Sequence, residues 1–215
     1  MKKLLFLTAV ILAMALLCAC GTTAPIQNRN YTAETTPDDD IQGKVTENTY
    51  ENPAIGVGFS VPDGWTFYSD NEIASSLSTP VKFSDDPTMQ TSEIANYFCD
   101  TAAFSEDLKS AIIVTVEEKR ESTIGLLQET LIDNTISLAK KDGNQIYDKY
   151  EIEKKQFTIG EDDIWGYDAV STHEDVKLYQ RCILTDNDKY ITTIMLTSPE
   201  EAVLNELVEK FFKVV

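Results

Sequence analysis

A single histidine, His173, serves the whole 215-residue chain, and cysteine is nearly as scarce, with four. One histidine excludes a zinc site built from two cysteines and two histidines. Cys18 falls in a hydrophobic leader and Cys20 directly follows it, so the remaining pair, Cys99 and Cys182, also excludes a four-cysteine site. A Ser-His-Asp hydrolase would have to use His173, and no Gly-x-Ser-x-Gly elbow accompanies it. Basic residues are few: 18 Lys and Arg stand against 36 Asp and Glu, for a formal net charge of −18. Phosphate contacts need clustered Lys and Arg, so this balance excludes a nucleic-acid binder. Neither a P-loop nor a Gly-x-Gly-x-x-Gly is present, which leaves nucleotide binding without support. The chain also lacks a run long enough to span a bilayer. Leu4 to Ala19 carries no charge, but as a helix it would reach about 24 Å against a hydrocarbon core of ~30 Å.

What the N-terminus does have is a short basic start, Met1-Lys2-Lys3, followed by that apolar stretch. Such length and flanks fit a secretory signal, residues 1–19. The stretch ends Leu17-Cys18-Ala19-Cys20-Gly21, which resembles the lipobox of bacterial lipoprotein precursors. The resemblance implies a diacylglyceryl group on the sulfur of Cys20, cleavage before it, and often acylation of the new amino group. Cys18 fits less well, because bulky Leu17 would fill the small-residue slot before the cut. An ordinary secretory signal cleaved near Ala19, or an uncleaved anchor, are the alternatives. Each buried CH2 contributes about 0.8 kcal/mol and a single chain binds only marginally, whereas two or three chains would make attachment effectively permanent. The expected location is the cell membrane, on its extracytoplasmic face, with the bilayer as a partner through Cys20. Asp at the second mature position would hint at inner-membrane retention in a two-membrane cell; here that position is Gly21.

Residues 20–47 read as a lipidated N-terminus and flexible acidic tether. Gly21-Thr22-Thr23-Ala24-Pro25 and Thr35-Thr36-Pro37-Asp38-Asp39-Asp40 are polar and show no period of 2 or 3.6. A flexible stretch from 21 to 47 would span about 29 Å end to end. Residues 48–215 then read as one domain, large enough to bury a core without a metal or disulfide. Val57, Phe59 and Val61 alternate as in a strand, and Pro62-Asp63-Gly64 follows with turn chemistry. A short helix is expected at Asn71 to Ser78, and strands at Phe98–Phe104 and Ala111–Glu117 around the turn Ser105–Lys109. The spacing of Ile124, Leu127, Leu131 and Leu138 predicts a helix from Thr123 to Lys141, capped by Ser122 or Thr123 and terminated by Gly143. Four strands follow: Tyr150–Ile159, Asp163–Thr172, Lys177–Leu184 and Tyr190–Leu196, with Asp186-Asn187-Asp188 as a hairpin turn. Ser198-Pro199-Glu200-Glu201 reads as a capping box opening a last helix whose stripe is Leu204, Leu207, Val208, Phe211 and Val215. The expected class is α+β: a single, mostly antiparallel sheet with helices packed against it.

The run Tyr50, Asn52, Gly56, Phe59, Pro62, Gly64, Trp65, followed by that element order, resembles the Mog1/PsbP-like α/β/α sandwich. Many secreted lipoproteins of Gram-positive bacteria look similar. The resemblance implies a fold over roughly 48–215; because family members include non-enzymatic accessory and binding proteins with different partners, it implies no functional residue.

Each candidate site has a plainer reading. His173, in Ser171-Thr172-His173-Glu174-Asp175, reads as a solvated turn residue with no local nucleophile to activate. Cys99 and Cys182 fall in strands; outside the cytoplasm they could pair, or simply pack as small hydrophobes. The acidic runs Asp85-Asp86, Glu161-Asp162-Asp163 and Asp186-Asn187-Asp188 invite calcium, but none fits the twelve-residue loop pattern. Trp65 and Trp165 could form a carbohydrate platform, and core or hairpin packing explains both. The expected function is therefore non-enzymatic: a membrane-anchored binding or accessory module for a protein or envelope ligand, with no cofactor and no metal. The alternatives are an extracytoplasmic hydrolase using Asp and Glu, marked by paired buried carboxylates, or a ligand-capturing transporter subunit, marked by a deep aromatic pocket.

Overall fold

Alternation and apolar runs in the sequence translate into a layered architecture. The computed structural model describes residues 41–77, 79–81, 97–120 and 122–214. The leader, Cys20, the tether to residue 40, Ser78, Asp85-Asp86 and Val215 lie outside the described residues. In chain order the elements are β1 (Lys44–Thr46), β2 (Thr49–Asn52), β3 (Val57–Ser60), β4 (Thr66–Phe67), α1 (Asp70–Leu77), β5 (Tyr97–Phe104), β6 (Ala111–Glu118), α2 (Gln128–Ile146), β7 (Lys149–Ile159), β8 (Asp162–His173), β9 (Val176–Asp186), β10 (Tyr190–Ser198), α3 (Glu201–Val208) and β11 (Phe211–Lys213). The α+β class holds, but the strands form two antiparallel sheets rather than one. The larger has the order β4-β5-β6-β10-β9-β8-β7 and the smaller β1-β2-β3-β11.

Helix α2 explains the large sheet's order. It carries the chain from central β6 to the far edge, and the β7–β10 meander walks back until β10 pairs with β6. Central strands are covered on both faces, which is why Ala111 to Val114 is an unbroken buried run. Ile112, Val114, Ile194 and Leu196 face Tyr50, Phe59, Phe211, Leu204 and Leu207 of the small sheet and α3. Ile113, Cys182, Leu184 and Met195 face Ile73, Leu77, Leu131 and Ile132 of α1 and α2.

Four boundaries differ from the sequence reading. The last stretch of the expected tether belongs to the domain: Ile41 is buried, its carbonyl accepts from Asn52 Nδ2 at 2.7 Å, and Lys44–Thr46 pairs with β2. Helix α2 begins at Gln128, not Thr123; Thr123 caps a preceding turn through Arg120, and Ile124 and Leu127 leave the buried stripe. Gly143 does not end that helix but lies inside it, where a Cβ would collide with the Tyr150 ring. Finally, α3 stops at Val208, and Phe211–Lys213 pairs with β3 instead of continuing the helix. This last departure adds the fourth strand, at the edge of the small sheet. Asp186-Asn187-Asp188 is the hairpin turn expected, with Asn187 Oδ1 accepting from the amides of Lys189 and Tyr190 at 2.9 and 2.8 Å.

Candidate functional site

Two charged side chains stand alone in the otherwise uncharged middle stretches of two strands in the second half. Asp168 stands between Tyr167 and Ala169 in β8, and Arg181 precedes Cys182-Ile183-Leu184 in β9. The antiparallel register places them directly opposite one another, with Glu153 of β7 on the far side of Asp168. Arg181 grips Asp168 with two bonds, Nε to Oδ1 at 2.7 Å and Nη2 to Oδ2 at 2.9 Å. Its remaining nitrogen donates to Asn205 Oδ1 of α3 at 3.0 Å, and its guanidinium lies 4.7 Å from the Phe157 ring centre. Lys155 approaches the same carboxylate at 2.9 Å and Glu153 at 3.5 Å. The fork geometry suits Arg far better than Lys, so the pair fixes the position of α3 on the sheet as well as the charge.

Burial alone would raise the Asp168 carboxyl. The hydrogen bonds and charges of Arg181 and Lys155 outweigh it and hold Asp168 below the usual carboxylate range. The network floors an open cleft of about 260 Å³ lined by Glu151, Glu153, Lys155, Asp168, Tyr179 and Glu201, among others. That volume is below the range of pockets that enclose a small-molecule ligand. Chemically, the cleft offers a fixed alternation of acceptors and donors on a wall with more carboxylates than cations. Asp168 stays ionised, so it can accept but has no proton to give.

A second polar cluster lies at a β-bulge, where the β5–β6 register shifts between Cys99 and Thr101. The Asp100 carboxylate there accepts from Tyr50 OH, from Asn52 Nδ2 at 2.6 Å and from the Gly43 amide at 3.1 Å. Burial raises the Asp100 carboxyl, and these three donors only partly offset it. Burial and the same carboxylate raise Tyr50 far above the ordinary phenol range. The cluster ties the entering chain at Ile41–Gly43 to both sheets. Asp100 and Asp168 lie on strands four steps apart in the sheet, about 19 Å, so they do not form a catalytic pair.

The residues singled out from sequence are dispersed. His173 ends β8, held by the tight turn Glu174-Asp175, and lies 3.6 Å from Asp148 with both side chains over half exposed. Cys99 and Cys182 are buried on β5 and β9 with two strands between them. That is about 14 Å, well beyond the roughly 7 Å Cα separation a disulfide tolerates. Asp162 is paired with Lys213, Asp163 accepts from Thr158, and Asp186 is paired with Lys119. Among the described residues no group of three or more His, Cys, Asp or Glu is placed to hold a metal ion. Trp65 packs against the core beneath the small sheet, and Trp165 lies under Lys154 on the α2 side, so the two form no common platform. Asp100, Lys155, Asp168 and Arg181 were not among the sequence candidates. For Asp100, Asp168 and Arg181 the signal that could have found them is a lone charge in a largely uncharged stretch of strand, since such charges are almost always paired; Lys155, in the polar β7, carries no such signal.

No protein-family model matches this sequence, and neither does any curated protein. Solved structures offer distant likenesses. A protein of Bacteroides thetaiotaomicron aligns at a TM-score of 0.43 with 10% identity over 78% of this chain; the chain spans 48% of that protein's length. LpqN of Mycobacterium tuberculosis, described as involved in cell envelope biogenesis, aligns at 0.38 with 8% identity, covering 74% of this chain and 83% of LpqN. The protein PA94 of Pseudomonas aeruginosa, described as a putative regulator, aligns at 0.31 with 9% identity, covering 69% and 81%.

Proposed function

We propose that this protein is a lipid-anchored extracytoplasmic accessory protein. In this reading the chain is held to the bilayer through acylated Cys20, and its α+β domain engages a protein or envelope partner through the Asp168–Arg181 cleft. The observation that carries the binding role is the cleft itself. It is shallow at about 260 Å³, and its central charges are locked to one another by hydrogen bonds of 2.7 to 2.9 Å. Such a preorganised polar surface recognises a partner's groups without having to reorganise. The Mog1/PsbP-like resemblance belongs to the same reading. A seven-stranded sheet with α1 and α2 on one face, and α3 with the small sheet on the other, is a layered arrangement compatible with it. The lipobox Leu17-Cys18-Ala19-Cys20 supports the location.

A hydrolase using Asp and Glu is the second reading. It draws on Glu153 and Asp168, which are register partners and share Lys155. Acid catalysis needs one carboxyl poised to give a proton, whereas Asp168 is held ionised. A transporter's ligand-capturing subunit fits less well, because the cleft contains one aromatic side chain, Tyr179, and does not enclose a solute.

The test places a photo-crosslinking residue at Val170, in the cleft, and separately at Lys140, on α2 across the sheet, in intact cells. The expected result is one discrete adduct from position 170 that Glu153→Lys weakens and position 140 does not form. No adduct at 170, or the same adducts from both positions, would overturn the assignment of the cleft.

A further inference from the structure

Ile124 and Leu127 are the two most exposed large hydrophobic side chains among the described residues, at 62% and 74%. They do not stray into solvent from a loose loop. The Thr123 and Ile124 amides both donate to the Arg120 carbonyl, at 2.8 and 3.0 Å, and Thr123 Oγ1 accepts from the Arg120 amide at 2.9 Å. Gly125 supplies a left-handed φ of +78°, and Leu126 between them packs on the core. The turn is thus built to hold two apolar side chains outward, where they forgo the stabilisation that burial would give until something covers them.

The end of the molecule on which this turn sits is also the end where the chain enters. Asn52 Nδ2 donates to Ile41 O, Asn52 Oδ1 accepts from the Ala54 amide, and Asn187 Nδ2 donates to Ala54 O at 2.9 Å. The Lys119 amide then donates to Lys189 O at 2.8 Å, linking the Asn187 hairpin to the segment that leads into the turn. A short hydrogen-bonded path therefore joins the tether's point of entry to Ile124 and Leu127. Between Cys20 and Ile41 lie residues 21–40, and a flexible segment of that length averages about 25 Å end to end. An anchor at Cys20 would keep this end, and not the opposite one, within reach of the bilayer.

We infer that Ile124 and Leu127 form an apolar wedge that dips into the outer surface of the bilayer and orients the anchored domain. The inference rests on the lipoprotein reading above. The occupant is lipid and not a strongly attracted anionic surface, because acidic side chains outnumber basic ones in the β6 end and the adjoining hairpin that flank the turn: Glu117, Glu118, Asp186 and Asp188 against Lys119, Arg120 and Lys189. Such a wedge is too small to recruit the protein alone and acts only when the anchor has already brought it close.

The experiment uses the mature protein purified from membranes with its lipid, carrying Leu127→Cys or, as a control, Leu108→Cys. Leu108 is exposed on the Ser105–Lys109 turn at the other end of β5 and β6. Native Cys99 and Cys182 are buried, so an environment-sensitive maleimide dye reports the new thiol. The protein is reconstituted into phosphatidylcholine vesicles with and without brominated acyl chains. A blue shift and bromolipid quenching at 127, with neither at 108, is the expected result. Quenching at neither site, or at 108 alone, overturns the wedge, as does a blue shift at 127 without quenching, which would mean a protein surface covers the turn. Incorporation of labelled fatty acid at Cys20 is read first on the same preparations. Its absence ends the lipoprotein reading and the wedge with it, whereas its presence with an unquenched 127 ends the wedge alone.

Discussion

Asp168 and Asp100 are both half-buried carboxylates, yet their titrations pull stability in opposite directions. Asp168 is held low by Arg181 and Lys155. Its contribution is complete above the unfolded carboxylate value of about 3.9 and is lost as the pH falls through the lower folded value. Asp168→Asn leaves the Arg181 charge buried without its counterion and should cost about 3 kcal/mol at neutral pH. The difference from the parent should close in acid, where the parent's own carboxyl is protonated. Asp100 is held high by burial. The folded protein takes up its proton more readily than the unfolded chain, so stability declines as the pH rises from the unfolded value through the folded one. Asp100→Asn turns an amide donor toward three donors and should cost about 1–3 kcal/mol, while removing that declining segment from the pH profile. Urea titrations of the parent and both variants between pH 3 and 7 check both outcomes. Parallel profiles for all three proteins would contradict this account of the two carboxylates.

Among the described residues, the six strands and three helices of at least eight residues show how far periodicity carries. Strands β5 to β10 fall within one or two residues of where alternation places them, and α1 does likewise. Most failures are elements or ends too short for a period to register; at the start of α2 the period misled, because Ile124 and Leu127 match the helical spacing without being helical or buried. Phe211 is buried whether 204–215 continues as a helix or bends into a strand, so the spacing of Leu204, Leu207 and Phe211 cannot separate the two. The information lies in Gly58. A Cβ there would strike the Phe212 ring because β11 lies against β3, which no local pattern reveals. Gly58→Ala should therefore destabilise by about 1–3 kcal/mol through overpacking. Phe212→Ala in the same chain should recover part of that loss, giving a coupling readable in a double-mutant cycle. Strict additivity would mean that the two residues do not meet. The tether shows the same limit: Ile41 and Gly43 are recruited by Asn52 and Asp100, residues distant in the chain. For the cleft, Asp168 and Arg181 stand out singly in the sequence, but that β7, β8 and β9 bring them together with Lys155 emerges only once the register is known. Deleting 21–40 should leave the thermal midpoint unchanged. Extending the deletion through 47 should lower it by the equivalent of about 2–4 kcal/mol, since it removes a buried Ile and two polar ties. Calorimetry on the two truncations reads the difference.

At the scale of the molecule, the position of the cleft along the strands matters as much as its chemistry. Glu151, Val170 and Tyr179 are register partners lying well away from Ile159, Asp162 and Asp186, which mark the end where the chain enters. A domain tethered and wedged at that end would present the cleft away from the bilayer, open to the envelope. Attachment in this arrangement comes almost wholly from the acyl chains. The chain's formal charge of −18 repels anionic headgroups, and in this reading loss of Lys2 and Lys3 with the leader would make it two units more negative. Two apolar side chains on a turn cannot replace chains worth about 0.8 kcal/mol per buried CH2. Cys20→Ala should therefore move the protein from the membrane pellet to the soluble fraction at low and high salt alike. Washing the parent in high salt should release none. Retention of Cys20→Ala that salt abolishes would point to charge-driven adsorption. Retention that salt leaves untouched would mean that a tightly bound partner, rather than lipid on Cys20, holds the protein at the membrane.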